Sequence, residues 1–231
     1  MKTLNPYFKK LLILLLFTMS VLWYAPFHVR ADESGHLYET VIQKVVDGDT
    51  VHLKDKVLGT TKVRLLSIDA PETNFSGESQ GDIAIESAAY LQSLLPRGTK
   101  VKLSVGEEEK DRYGRLLAHI YKDDVDINEE MLKKGHAVTY FIWPNITKLE
   151  QYQKTMLQAK NTKLGMWKTP DLELPFEFRA RVSDENPSKY VGDFTMKTYV
   201  NPDQYKQVAV EKRVFFFTEQ AALRAGYTKI Q

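Results

Sequence analysis

Two acids and an arginine lie within ten positions of each other in RLLSIDAPET, residues 64 to 73. The first half alternates as a strand does. It puts Arg64, Leu66 and Ile68 on one face and Leu65, Ser67 and Asp69 on the other. Pro71 lacks a backbone donor and fixes its own φ, so the strand must end there. Asp69 then closes the strand at a rim, where bulges and functional groups collect, and the turn directs Glu72 back toward the same opening. Two acids on a rigid turn can share a hard cation, or divide the work between a cation and a water. A third acid, Asp49, comes from VVDGDTV, in which one of Asp47 and Asp49 serves a turn. Oxygen donors from Asp49, Asp69 and one backbone carbonyl suit Ca²⁺. Histidines and thiols, which would suit zinc, do not cluster here.

A second arginine follows in EEEKDRYGRLLAHIY. Asp111 to Gly114 reads as a turn, after which Arg115 enters a strand. A guanidinium is a planar fork of donors matched to two phosphate oxygens. Arg64 and Arg115 together could clamp one phosphate. Taken alone, the segment reads better as a surface hairpin with two exposed arginines.

These groups need a frame from distant parts of the chain. Residues 37 to 54 read as two strands joined at Asp47-Gly48, a short hairpin signal. Residues 61 to 69, 99 to 105 and 115 to 121 are further β-rich runs. A helix is expected between 78 and 98, with apolar residues at helical spacing and a stop at Pro96 to Gly98. NEEMLKKG is a short helix with Asn128 as N-cap candidate and Gly135 as stop. Leu149, Tyr152, Met156 and Ala159 form the stripe of a third helix. Five short strands with an interposed helix predict a mainly β, α+β fold, a closed oligonucleotide-binding (OB) barrel with three helices over residues 37 to 168. Residues 169 to 178, with two prolines, read as a linker. Residues 179 to 231 form a second, smaller unit of hairpin, strand and helix.

Composition narrows the classes further. The chain has 231 residues and no cysteine, so no disulfide forms and no thiolate acts as nucleophile or ligand. Lysine and arginine number 32 against 30 acids, a net charge of +2. Residues 1 to 31 hold four of the basic residues and no acid, which leaves 28 against 30, a net charge of −2, for the rest. A generally basic nucleic-acid binder is therefore not indicated, and any polyanion must be held by local arginines. Residues 1 to 31 also carry early lysines, an apolar run over 11 to 27, and VRA at 29 to 31, the layout of a secretory signal peptide. The expected product is exported, with an uncleaved membrane anchor as the alternative.

VVDGDTVHL, VRLLSIDAPET, DRYGRLLAHIY and NEEMLKKGHA, in this order, resemble the staphylococcal nuclease (thermonuclease) family over about residues 39 to 168. The resemblance implies Ca²⁺ held by Asp49, Asp69 and the carbonyl of Ala70. It implies that Glu72 orients or deprotonates the attacking water, and that Arg64 and Arg115 lie on the scissile phosphate. It further implies substrate contacts from Arg112, Tyr113 and Tyr140, cleavage of DNA and RNA with a preference for single strands, and 3′-phosphate products. Ile142 stands where a further aromatic is expected, with Trp143 beside it. The segment after Glu72 has no lysine for a basic flap. An OB-fold module that binds single strands without cutting is the alternative, and it would ordinarily lack an acid or an arginine from the set Asp49, Arg64, Asp69, Glu72 and Arg115. A barrel used only for adhesion would need the whole set to be accidental.

The tail YVGDFTMKTYVNPDQYKQV, followed by RVFFFTEQAALRAGY, resembles the small Ada-like metal-binding domain carried by some nucleases. Gln204 and TKIQ stand where that domain has zinc-binding cysteines. The resemblance thus implies a degenerate unit without metal.

Overall fold

The structure is a computed structural model that describes residues 37–230. The expected signal segment lies outside the described residues. Strand β1 (Leu37–Val45) runs antiparallel to β2 (Thr50–Val57), with a bulge between Ile42 and Lys44. Strand β2 turns through Leu58 and Gly59 into β3 (Thr60–Leu65). Both turn residues have positive φ, 47° and 84°, the twist a two-residue hairpin requires. On its other side β1 pairs with β5 (Lys100–Lys110), and β5 pairs with β6 (Leu116–Lys122). Parallel pairing of β3 with β6 closes the barrel of five strands. Alternate residues point inward, and Val51, Val63, Leu103, Leu116 and Ile120 are wholly buried.

The short β4 (Ile68–Asp69) leaves the barrel after a bend at Ser67, whose φ is 65°. Helix α1 (Asp82–Leu94) follows and buries Ala84, Ser87 and Leu91. Strand β7 (Val125–Asp126) leads into α2 (Ile127–Lys133). The N-cap of α2 is Asp126, whose carboxylate accepts from the Glu129 amide, and not Asn128 as the sequence pattern suggested. Asn128 is wholly buried and serves a different purpose. Its carbonyl accepts from the Ile120 amide at 3.0 Å, and its amide donates to Leu66 O at 2.9 Å. A buried amide needs such partners, and here they tie α2 to the strand end beneath the acids. Helix α3 (Leu149–Asn161) buries Tyr152, Met156 and Ala159 along the expected stripe.

The C-terminal region builds directly on this frame. Helix α4 (Pro175–Val182) begins inside the stretch that the sequence pattern suggested was linker. Pro175 is its first residue, a position where a missing amide hydrogen leaves no partner unsatisfied. Strands β10 (Tyr190–Asp193), β11 (Thr198–Val200) and β12 (Arg213–Phe216) precede helix α5 (Glu219–Arg224), and β13 (Thr228–Lys229) runs parallel to β11. Strand β12 pairs in parallel with β9 (Phe141–Ile142), which follows β8 (Val138–Thr139). Tyr199, Val214, Phe216 and Tyr227 share one apolar cluster with Phe141 and Met156, so the tail extends the main core. Among the described residues no helix is long and apolar enough to cross a membrane.

Candidate active site

The site is assembled at one end of the barrel. Asp47 accepts from the Asp49 amide at 3.0 Å and so serves the turn, which leaves Asp49 free to point inward. Asp49 then accepts from the Ala70 amide at 2.7 Å and from the Thr50 hydroxyl at 3.1 Å. A backbone bond from the Leu65 amide to Asp49 O, 2.8 Å, fixes this turn against β3. Gly48 permits the approach, because a Cβ there would lie 2.1 Å from Ser87 Oγ and 2.6 Å from the Ala70 Cβ.

Arg64 lies between the two aspartates. Its Nη2 is 3.0 Å from Asp49 Oδ2 and 2.8 Å from Asp69 Oδ1. Its Nη1 donates to Leu65 O and Ile68 O. Asp69 is wholly buried, and pairing of β4 with β8 holds its backbone. Glu72 is set by a reciprocal clasp with Gln80. The Glu72 amide donates to Gln80 Oε1 at 3.0 Å, and the Gln80 amide donates to Glu72 O at 2.9 Å.

A third guanidinium enters this cluster from outside the barrel. Arg179, on α4, donates through Nη1 to Asp69 Oδ1 at 2.9 Å and to Glu72 Oε1 at 2.6 Å. Its Nη2 donates to Asp69 Oδ2 at 2.9 Å. The sequence reading did not include Arg179. The available signal was its place one turn after a helix-opening proline, in PFEFRAR.

Arg115 is apart from the acids but faces the same cavity, of about 920 Å³, which Asp49, Arg64 and Glu72 also line. Its Nε is 2.7 Å from Asp111 Oδ2, and its side chain is 28% exposed. Arg112 and Arg115 both lie over the ring of the exposed Tyr113, at 4.8 and 5.5 Å from its centroid. Tyr140 packs against Phe176 and Phe215 at the cavity's apolar end. Phe215 is the β12 partner of Ile142. The C-terminal region thus supplies aromatic rings beside Tyr140, on the side where the sequence offered only Ile142. Trp143 is elsewhere, under Arg224.

The electrostatics follow from burial. Burial pushes the Asp49 carboxyl up to about 7; Arg64 opposes the rise, and the Asp47 and Asp69 charges add to it. Burial also raises Glu72, with Asp49 adding and Arg179 opposing. For Arg179 burial works against the charge, yet Asp69 and Glu72 outweigh it and hold the guanidinium firmly protonated. Three acids therefore face two guanidinium groups at close range. Their donor atoms are all carboxylate oxygens, the chemistry a hard divalent cation takes. Among the described residues no three such side chains stand as a preformed metal cage. The set fits a hard cation in donor type, with Arg179 standing among the donors.

Comparison with known proteins agrees with this frame. The family described as Staphylococcal nuclease homologue matches residues 62–169. Thermonuclease of Staphylococcus hyicus is 32% identical over 124 residues, covering 54% of this chain and 72% of that protein. The chain belongs to the staphylococcal nuclease family. Within curated relatives, Endonuclease YhcR of Bacillus subtilis (strain 168) is 44% identical over 204 residues, 84% of this chain but 17% of that protein. The SPbeta prophage-derived endonuclease YokF of the same organism is 33% identical over 133 residues, 57% of this chain and 44% of that protein. The chain thus spans less than half the length of these two endonucleases. Arg179 and the rest of α4 lie beyond the residues that the staphylococcal nuclease family match covers.

Proposed function

We propose that the protein is an exported, Ca²⁺-dependent nuclease that hydrolyses phosphodiester bonds of DNA and RNA with little sequence specificity and prefers single strands. The observation that carries this reading is that Asp49, Arg64 and Glu72 line one cavity that Arg115 also faces, with the buried Asp69 directly behind them, bonded to Arg64 and Arg179. The names of the endonuclease and thermonuclease relatives support it.

Asp49, Asp69 and the Ala70 carbonyl would hold the cation, which supplies charge stabilisation at a phosphoryl oxygen. Glu72, raised by burial, is a stronger base than an exposed glutamate. It takes a proton from the attacking water, a transfer that contributes about 10²–10⁴-fold when a base is well placed. The water oxygen bonds to phosphorus as the bond to the 5′ oxygen breaks. Arg64 and Arg115 bind phosphoryl oxygens as their charge grows, and Arg115 steadies the departing 5′ oxygen until it is protonated. The products are a 3′-phosphate and a 5′-hydroxyl. Tyr113, Tyr140 and Arg112 contact the nucleotides by stacking and charge, which reads no sequence.

A barrel that binds single strands without cutting is the competing reading, favoured by the hold of Arg179 on Asp69 and Glu72. Digestion separates the two. Residues 32–231 are incubated with heat-denatured DNA, with Ca²⁺ or with a chelator. Ca²⁺-dependent shortening with 3′-phosphate ends is expected. Binding without shortening contradicts the proposal. N-terminal sequencing of the exported product tests cleavage after Ala31.

A further inference from the structure

We propose that Arg179 is the site's built-in counter-cation, a positioning residue that holds Glu72 and competes with the divalent ion for Asp69, and so sets the ion concentration the protein requires. The inference rests on the cation requirement proposed above.

Arg179 is placed for this by structure and not by chance contact. Helix α4 is anchored at both ends. Glu177 accepts from the Leu174 amide at 2.9 Å and from the Tyr205 hydroxyl at 2.8 Å. Arg181 bridges Glu173 and Glu78, which ties the helix to the loop that follows Glu72. Gln80, the partner of Glu72, also donates to Glu173 O at 2.9 Å. The loop bearing Glu72 and the segment bearing Arg179 therefore form one hydrogen-bonded assembly.

The fork geometry is specific. The two terminal nitrogens of Arg179 engage both oxygens of Asp69 and one of Glu72. The Asp69 oxygens are among those a divalent ion would need, and an ion and a guanidinium cannot share them at full strength. Both are cations on the same anionic oxygens, so each raises the apparent dissociation constant of the other. Arg64 also sits on Asp49 and Asp69, but its Nη1 is anchored on two backbone carbonyls, which hold it in place. Arg179 makes no backbone contact of that kind, and its side chain is 23% exposed toward the cavity. It is the guanidinium free to withdraw.

Arg179→Met tests this without nucleic acid. Ca²⁺ is titrated calorimetrically into residues 32–231 and into the variant, and melting temperatures are recorded with and without Ca²⁺. The variant is expected to bind Ca²⁺ at least tenfold more tightly, and to gain more thermal stability from it, while melting lower than wild type in chelator. Arg179→Lys keeps the charge but offers one ammonium where two nitrogens reached two carboxylates. Its affinity is expected between the other two, and it carries the test should the methionine variant not fold. Equal or weaker Ca²⁺ affinity in folded variants, or no Ca²⁺ binding by any of the proteins, overturns the inference. A purely structural role for Arg179 would not strengthen ion binding. Digestion of denatured DNA by the wild type is run alongside. Cleavage with unchanged Ca²⁺ affinities removes the counter-cation role alone. Tighter Ca²⁺ binding without cleavage removes the nuclease reading alone.

Discussion

Replacing Arg64 by methionine leaves Asp69 its bond to Arg179 but strips Asp49 of its only ion pair among the described residues. Asp49 then retains two neutral donors, the Ala70 amide and the Thr50 hydroxyl. Breaking a buried pair by removing one partner costs about 3–5 kcal/mol. Protonation of Asp49 limits the loss. Burial already holds that carboxyl near 7 against an ordinary 3.8, so the folded protein binds this proton more tightly than the unfolded chain. Ionisation of Asp49 therefore opposes folding as the pH rises through that interval, and the penalty of Arg64→Met is larger at pH 8 than at pH 5. Asp49→Asn removes the charge; its one oxygen can stay on the Ala70 amide while its NH2 group meets the Thr50 hydroxyl, which can accept. Alone it weakens one bond of Arg64, at about 1–2 kcal/mol. In the Arg64→Met background it relieves an unpaired buried charge. Urea unfolding of the two single variants and the double variant at pH 8 should give a coupling of about 2 kcal/mol. Additivity within about 0.5 kcal/mol, the behaviour of independent sites, would refute the claim that Arg64 neutralises Asp49.

His119, buried beside the Tyr152 ring, is lowered from 6.5 to about 4, chiefly by burial. Between those values the unfolded chain binds a proton that the folded protein does not, so stability is lost as the pH falls. His119→Phe should remove about 2 kcal/mol of the stability difference between pH 6.5 and pH 5, read from urea unfolding at each; an unchanged difference would count against the burial argument. Gly48→Ala places a methyl against Ser87 and Ala70 and breaks the 2.7 Å bond from Ser87 Oγ to His136 O if Ser87 turns away. It should cost about 1–3 kcal/mol and lower the cleavage rate, because the Asp49 turn must shift; full activity with an unchanged melting temperature would contradict the close approach.

The barrel was legible in the sequence because its signals are local. Alternation marked the strands, helical spacing marked the α3 stripe, and Pro71 marked the end of the strand bearing Asp69. Asp49, Arg64, Asp69 and Glu72 could be named because each belongs to a short motif whose neighbours restrict its direction. Arg179 could not be named in the same way. It is 110 residues from Asp69, and no periodicity reports a pairing across that distance. Pro170 and Pro175 suggested a linker, whereas Pro175 opens a helix. Asn128 had the composition and place of a cap, but a cap is decided by which side chain reaches the free amides, and the preceding Asp126 does so. The aromatic neighbours of Tyr140 were missed for a similar reason, since β12 reaches β9 only through tertiary pairing.

The most direct test of the proposed nuclease site is the rate at which Glu72→Gln cleaves a single-stranded oligonucleotide in saturating Ca²⁺, relative to wild type. Loss of the base predicts a fall of at least about 100-fold in a protein that still folds cooperatively. A rate within a few-fold of wild type would contradict the assignment of Glu72 and, with it, the reading of this acid and guanidinium cluster as the centre that hydrolyses the phosphodiester.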